Sequence, residues 1–286
     1  MTRVAIVAHY ERADVVELVE RTMSWLAERG HEGWLLPDDG EQLALAHHTT
    51  DRPLADADVV VCLGGDGTML RAVGVLDGAP VPLLGVNLGQ LGYLTEVEPA
   101  ELIDSLERVL SGADSGGWHL DERLMLHVEA RRGDETIGHW TALNEVVVEK
   151  HAAGHTVHLL ARIDGEPFTS FAADGLIVAT PTGSTAYSLS ARGPVVSPRH
   201  RALLLTPVSP HMLFDRTLVL DPAETVEIEV TGHRLAEVAI DGRLVVLVEP
   251  GDVVRCRPAD ATARFIRFGP YRYHQILKSK FGLTDR

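Results

Sequence analysis

The sequence predicts an α/β N-terminal domain with a parallel, Rossmann-like sheet, followed by a β-rich C-terminal domain. Three observations support this. Short buried apolar runs alternate with segments of helical spacing over the first 110 residues. A Gly- and Ser-rich stretch, Ser111 to Gly117, then interrupts the chain. Beyond it, period-two alternation and Asp-Gly turns replace the helical pattern. With 286 residues, the chain has room for roughly two domains of about 150 residues.

Arg3 to Ala8 reads as a buried strand. Val15, Val16, Val19, Met23, Leu26 and Ala27 then fall at helical spacing, and Gly30 ends that helix. Trp34-Leu35-Leu36 suggests a second strand. Asp58 to Leu63 is a third, and it runs straight into Gly64-Gly65-Asp66-Gly67-Thr68. Met69 to Leu76 looks helical, Val81 to Val86 is another buried run, and Glu101 to Leu110 is an amphipathic helix. This order needs crossover connections, so the sheet is parallel and covered by helices. Further on, Leu124, Leu126, Val128 and Ala130 alternate with polar neighbours before the turn Arg131 to Asp134. Val157, Leu159, Ala161 and Ile163 alternate before Asp164-Gly165. Val226, Ile228 and Val230 follow the same rule, and Asp241-Gly242 joins two more apolar strands. Antiparallel strands with one buried face produce this pattern. The tail Tyr271 to Phe281 has helical spacing. The expected domains are residues 1–117 and 118–269, with the tail 270–286 able to pack back on the first.

Lys and Arg number 26 against 41 Asp and Glu, a formal charge of −15, and 45% of residues are hydrophobic. That apolar share excludes wholesale disorder. The acidity argues against nucleic acid and anionic membranes as partners. Cys62 and Cys256 are too few for a disulfide framework. The longest apolar runs, Val59 to Leu63 and Leu244 to Val248, are too short to span a membrane, and the first residues enter a strand with no secretory pattern. A cytoplasmic location is expected. The longest uncharged stretches are Gly78 to Thr95 and Gly175 to Ala191, where an anion could approach the backbone.

The strand-to-helix junction Gly64-Gly65-Asp66-Gly67-Thr68 is the strongest chemical signal. Glycines there let backbone N–H groups approach a ligand, and the helix start favours phosphate. No lysine follows, so it is not a Walker-type loop, and Leu70 stands where a dinucleotide fingerprint needs a small residue. Asp66 is anomalous in a phosphate cradle unless a cation or a transferred proton uses it. Its alternative role is a turn aspartate. Gly85 to Leu94, with three glycines and two amides, suits either a ligand loop or a plain connection. Asp174 to Ser188 reads as a buried strand, a turn bearing Thr180, Thr182, Ser184 and Thr185, then a helix starting near Ser184 or Thr185. Hydroxyls and Tyr187 there could serve a flat ligand or merely cap the helix. Asn144-Glu145 places an amide and a carboxylate at the mouth of an apolar strand. The spacing of His151, His155 and His158 matches no zinc pattern.

Taken together, these segments resemble the NAD kinase family over residues 3 to about 270. The family's marks stand in family order at Gly64 to Thr68, Asn144-Glu145 and Asp174 to Ser188, with Asn87 to Thr95, Pro210-His211 and Asp241-Gly242 beside them. The Gly-Gly-Asp-Gly-Thr loop is shared with lipid and sugar kinases, whereas the Asp174 to Ser188 block is far more specific. The resemblance implies phosphorylation of the adenosine 2′-hydroxyl of NAD, with ATP or polyphosphate as donor and Mg²⁺ bridging the donor phosphates. It implies Asp66 as the base, Gly64, Gly65, Gly67 and Thr68 as the phosphate loop, and Arg71 reaching phosphate. It implies that Asn144, Glu145, His155, Asp174, Thr185, Ala186, Tyr187, Ser188 and Ser190 bind NAD, in a homodimer or homotetramer built on the β-rich domain. Two departures from the family pattern are Arg192, where glycine is usual, and Arg243, where glutamine is common. The competing expectations are a lipid or sugar kinase sharing the Asp66 loop and a non-catalytic dinucleotide sensor.

Overall fold

The structure is a computed structural model that describes every residue except Glu11, Ala13, Gln90, Leu91, Ala153, Tyr271 and residues 284–286. The chain forms two compact units. One comprises Met1–Glu122 and the chain from Ala263 onward, and the other comprises Arg123–Thr262.

The first unit runs β1 (Arg3–Ala8), α1 (Asp14–Glu28), β2 (Glu32–Leu35), α2 (Pro37–Gln42), β3 (Val59–Gly64), α3 (Asp66–Leu76), β4 (Pro82–Asn87), α4 (Leu102–Leu110) and α5 (Ala113–Gly116). Its strands pair in parallel in the order β2-β1-β3-β4. All six residues of β3 are buried, as a strand covered on both faces requires. Val15, Val19, Met23 and Leu26 of α1 pack on Val4, Ile6, Val61 and Leu63. Gly30, at φ 72°, ends the helical path.

One boundary differs from expectation in a way that matters. Helix α3 begins at Asp66 rather than at the apolar run from Met69, because Gly65 is still extended (φ −105°, ψ −163°). Asp66 therefore sits in the first helical turn, inside the glycine motif. The expected helix at Glu101 to Leu110 occupies Leu102–Leu110, preceded by a 3₁₀ turn at Pro99–Glu101.

The second unit contains β5 (His119–Arg132) from Arg123 onward, β6 (Glu135–Ala142), β7 (Glu145–Lys150), β8 (Val157–Ile163), β9 (Glu166–Ala173), β10 (Gly175–Ala179), α6 (Tyr187–Ser190), β11 (Leu203–Val208), β12 (Leu218–Leu220), β13 (Val226–Val230), β14 (Ala236–Ile240), β15 (Arg243–Val248) and the start of β16 (Val253–Arg267). One antiparallel sheet has the order β12-β11-β10-β7-β14-β15. The other set runs β9-β8-β13-β16, with β5 paired to β16 and β6. Inward residues of both, including Val146, Val148, Leu176, Leu159, Ile228 and Val254, share one core. The last residues of β16 pair in parallel with β4 and so belong to the first unit, together with α7 (Tyr273–Lys280).

Asp164-Gly165 and Asp241-Gly242 both place two residues at positive φ (50° and 81°, 46° and 80°), the geometry of tight hairpin turns. The helix expected from Ser184 or Thr185 does not form there. A 3₁₀ turn at Gly183–Thr185 is followed by a break at Ala186 (φ −101°, ψ −128°) and the four-residue α6. The hydroxyls explain the break. Ser184 Oγ donates to the carbonyl of Pro181 at 2.7 Å, and Thr185 Oγ1 to that of Thr182 at 3.4 Å, so the side chains compete with helical bonding.

Candidate active site

In the first unit, a cavity of about 430 Å³ opens beside the start of α3. Gly65, Gly67, Thr68 and Arg71 line it on one side, and His9, Tyr10 and Gly89 line it from the ends of β1 and β4. A Cβ at Gly65 or Gly67 would meet open space, so these glycines leave room for a ligand against bare backbone. At Gly64 a Cβ would collide with Thr68 Oγ1. That glycine serves packing, and its buried neighbour Thr68 fills the space.

Asp66 is partly exposed. Its carboxylate accepts the N–H of Tyr93 at Oδ2 and of Leu94 at Oδ1, both at 2.9 Å. A Cβ on Gly92 would strike this carboxylate, so glycine is needed for the close approach. The carbonyls of the same loop are held by buried Arg267. Its guanidinium donates to Tyr93 O at 3.3 Å, Leu94 O at 3.1 Å and Thr95 O at 3.2 Å, and pairs with Glu96 at 3.1 Å. Arg267 thus braces the peptides that orient Asp66. Gln90 and Leu91, within the uncharged loop singled out from sequence, lie outside the described residues.

Arg71 is placed at the cavity wall, yet its guanidinium is already engaged. It binds both carboxylate oxygens of Asp39, and Nη2 also donates to the carbonyl of Ala8 at 2.7 Å. Asp39 is fully buried and accepts the Ala8 N–H at 2.8 Å. Sequence reasoning missed Asp39, since Asp38-Asp39-Gly40 after Pro37 looks like an ordinary turn.

In the second unit, Asn144 and Glu145 enter β7 with their backbone pinned by Asp241. Asp241 Oδ2 accepts Leu143 N–H at 2.8 Å, and Oδ1 accepts Asn144 N–H at 2.8 Å and Glu145 N–H at 3.1 Å. Glu145 is 5% exposed, and its Oε2 has no hydrogen-bond partner. Burial pushes its carboxyl up to about 8, the Asp241 charge adds to the rise, and the Tyr187 N–H opposes it. A buried acid with an unmade bond is rare in a folded interior and leaves an acceptor that a ligand or a water molecule can fill.

The hydroxyl block mostly serves the scaffold. Thr180 Oγ1 donates to Leu143 O at 2.6 Å, Ser184 Oγ bonds the Val196 backbone, and buried Ser188 faces Thr206 at 3.1 Å. Thr185 and Ala186 are partly exposed, while Tyr187 and Ser190 face solvent. Asp174 is paired with Lys150 Nζ. Thr180 N–H donates to Asn144 O at 2.8 Å, and Gly183 lies so tightly on Asn144 that no Cβ would fit. The structure therefore gathers Asn144, Glu145 and the Thr180–Tyr187 turn. His155 is exposed in the turn before β8. Among the described residues, the one group of metal-ligating side chains within mutual reach is Glu20, His47 and His48, on α1 and a neighbouring turn. There Glu20 meets His48 at 3.0 Å and His47 at 3.4 Å.

An acid seated among glycines at the first turn of a helix, next to a cavity that those glycines line, is the arrangement of a phosphotransferase. Residues 4–113 match the ATP-NAD kinase N-terminal domain, and residues 143–268 the ATP-NAD kinase C-terminal domain. The chain is 38% identical to the NAD kinase of Syntrophotalea carbinolica over 290 residues, covering all of both chains. It is 38% identical to the NAD kinase of Heliobacterium modesticaldum over 282 residues, covering 98% of each. Its fold is similar to yeast NADH kinase complexed with NADH (TM-score 0.88, 25% identity, 100% of this chain and 89% of that one). It is also similar to an NAD kinase from Archaeoglobus fulgidus in complex with ATP (TM-score 0.74, 25% identity, 99% and 100%). The chain belongs to the NAD kinase family and is a kinase. These likenesses favour neither the lipid- or sugar-kinase expectation nor the sensor.

Proposed function

We propose that the protein transfers the γ-phosphoryl group of ATP to the adenosine 2′-hydroxyl of NAD, giving NADP and ADP. The observation that carries this is the Asp66 carboxylate, oriented by two backbone N–H bonds at the helix start beside a glycine-walled cavity. Each carboxylate oxygen retains acceptor capacity beyond its N–H bond. Asp66 accepts the hydroxyl proton as that oxygen bonds to phosphorus and the bond to the leaving diphosphate breaks. Backbone N–H groups of the first α3 turn stabilise phosphate charge, so no lysine is required. Glu145 and Asn144 hold ribose hydroxyls and amide groups of the dinucleotide, with Asp174, Thr185, Ala186, Tyr187, Ser188, Ser190 and His155 as further contacts.

Among the described residues no carboxylate lines the cavity, and Asp66 lies between its lining residues Gly65 and Gly67. That donor set fits Mg²⁺ that would be carried on the donor phosphates rather than caged by protein side chains. When bound, the ion neutralises phosphate charge. Polyphosphate offers the same terminal group and is the alternative donor. The β-rich unit is the proposed dimer or tetramer surface: Val219 on β12 and Leu244 and Leu247 on β15 leave apolar side chains exposed on both edge strands of one sheet. Light scattering that finds only monomer would remove this part. We place the protein in the cytoplasm, and among the described residues no helix is long and apolar enough to cross a membrane.

Purified protein is expected to form NADP from NAD, Mg²⁺ and ATP or polyphosphate. Phosphorylation of diacylglycerol or a sugar, with no NADP from any donor, would overturn the reading.

A further inference from the structure

We propose that Asp241 is a positioning residue for this reaction: its carboxylate fixes the backbone of Leu143 to Glu145 so that the unpaired carboxyl oxygen of Glu145 is held toward the dinucleotide. This rests on the NAD kinase reading and assigns a role to a residue outside the contact set described above.

The two Asp-Gly hairpins of the second unit provide the argument. Both need an aspartate at positive φ, and in both the turn itself is satisfied by Asp-Gly chemistry. At Asp164 the carboxylate accepts a single exposed N–H, from Thr225 at 2.8 Å, and the Asp164 N–H donates back to Thr225 O at 2.9 Å, so the two turns differ in how many N–H groups the carboxylate gathers. At Asp241 the carboxylate accepts three successive N–H groups, and the Asp241 N–H donates back to Glu145 O at 3.0 Å. Four bonds therefore tie one turn to the entrance of β7. Successive N–H groups converging on one anion make a rigid clamp. The turn alone does not call for it.

The clamp also brings a second acid close to buried Glu145. The charged and polar groups facing this pair are Asp241 itself from the β14–β15 turn, Arg243 beside Asp241 on β15, and the Tyr187 N–H from α6. A hairpin needing only a turn has no reason to hold two carboxyls together. A substrate-binding acid gains from it, since both burial and the Asp241 charge oppose ionisation of Glu145. Asp241 carries its own cost, because burial raises its carboxyl and the three N–H bonds pull it back down.

The test uses the full-length protein with Asp241→Asn, which keeps the turn and the left-handed φ. The asparagine places an NH₂ against one of the three N–H groups and removes the charge. The kcat/KM for NAD is expected to fall about tenfold to a hundredfold, mostly through KM for NAD, with KM for ATP unchanged. The ionisation of Glu145, read from carboxyl-¹³C-labelled protein by NMR, is expected to start near pH 8 in the parent and move to lower pH in Asp241→Asn. Glu145→Gln identifies the resonance by removing it. Asp241→Glu keeps the charge but misplaces it, so it should lose NAD affinity while leaving Glu145 high. This variant serves if Asp241→Asn folds poorly. An unchanged kcat/KM, or a loss of activity with an unmoved Glu145 midpoint, overturns the proposal. The NMR titration needs no turnover. If the parent forms no NADP, the NAD reading fails while the Asp241–Glu145 coupling is still decided.

Discussion

The Asp66 turn and the Glu145 turn handle a carboxylate in opposite ways. Asp66 is partly exposed, and both of its oxygens are served by N–H groups of Tyr93 and Leu94. Glu145 is buried, accepts the Tyr187 N–H, keeps one oxygen unserved, and sits beside a second acid that takes the N–H groups of Leu143, Asn144 and Glu145. The first acid is oriented while still partly exposed, as a group that must exchange a proton with a hydroxyl requires. The second is held in an unfavourable state that a ligand can relieve, which suits recognition. Binding sites commonly retain such strain at the expense of stability.

That contrast yields tests of decreasing size. The largest effect is expected from Asp66→Asn, which should lower turnover about 10²- to 10⁴-fold while NAD binding by calorimetry is retained. Retained turnover would place the base elsewhere. Glu145→Gln should do the reverse, weakening NAD binding but raising stability at alkaline pH. The sign follows from an acid whose pKa rises from 4.5 to about 8 on folding. Below pH 4.5 both states are protonated and the substitution is neutral. Between these values the unfolded state releases its proton first, so folding weakens as pH rises, and the penalty levels off above pH 8. At about 1.4 kcal/mol per unit, the gain in the variant reaches a few kcal/mol at pH 9. Melting curves at pH 4.5 and pH 9 check it, and an equal Tm difference at both would refute it. The smallest effect concerns the chain leaving α6. Arg192 adopts φ 67°, a left-handed conformation costly for a side chain with a Cβ. Arg192→Gly should stabilise by about 1 kcal/mol, and chemical denaturation that shows destabilisation would reject the strain.

Arg192 also shows how far the sequence could be read. Its departure from the family's glycine was visible, but the cause was not, because φ depends on the path the chain takes after Ala191. The strands β1, β3 and β10 were legible as continuous apolar runs, and the hairpins as Asp-Gly pairs. Asp66 was legible too, because a carboxylate among glycines contradicts a bare phosphate cradle. Asp39 was not, since nothing local says that an exposed-looking Asp-Asp-Gly turn will be buried against Arg71 from 32 positions away. The α6 helix was overread because Ser and Thr signal a helix cap and a backbone-bonding turn equally well, and only the partners of Ser184 and Thr185 decide between them.

By itself, the sequence determined which segments alternate as strands and helices and where the glycine-rich junction around Asp66 falls, because periodicity and glycine placement are local properties. Only the tertiary structure decided how each group is held: Arg267 bracing the loop that orients Asp66, Asp39 tying down Arg71, and Asp241 clamping the Glu145 turn. Those partners lie tens to hundreds of residues apart. Their pairing follows from burial and hydrogen-bond satisfaction, which exist only once the chain has folded.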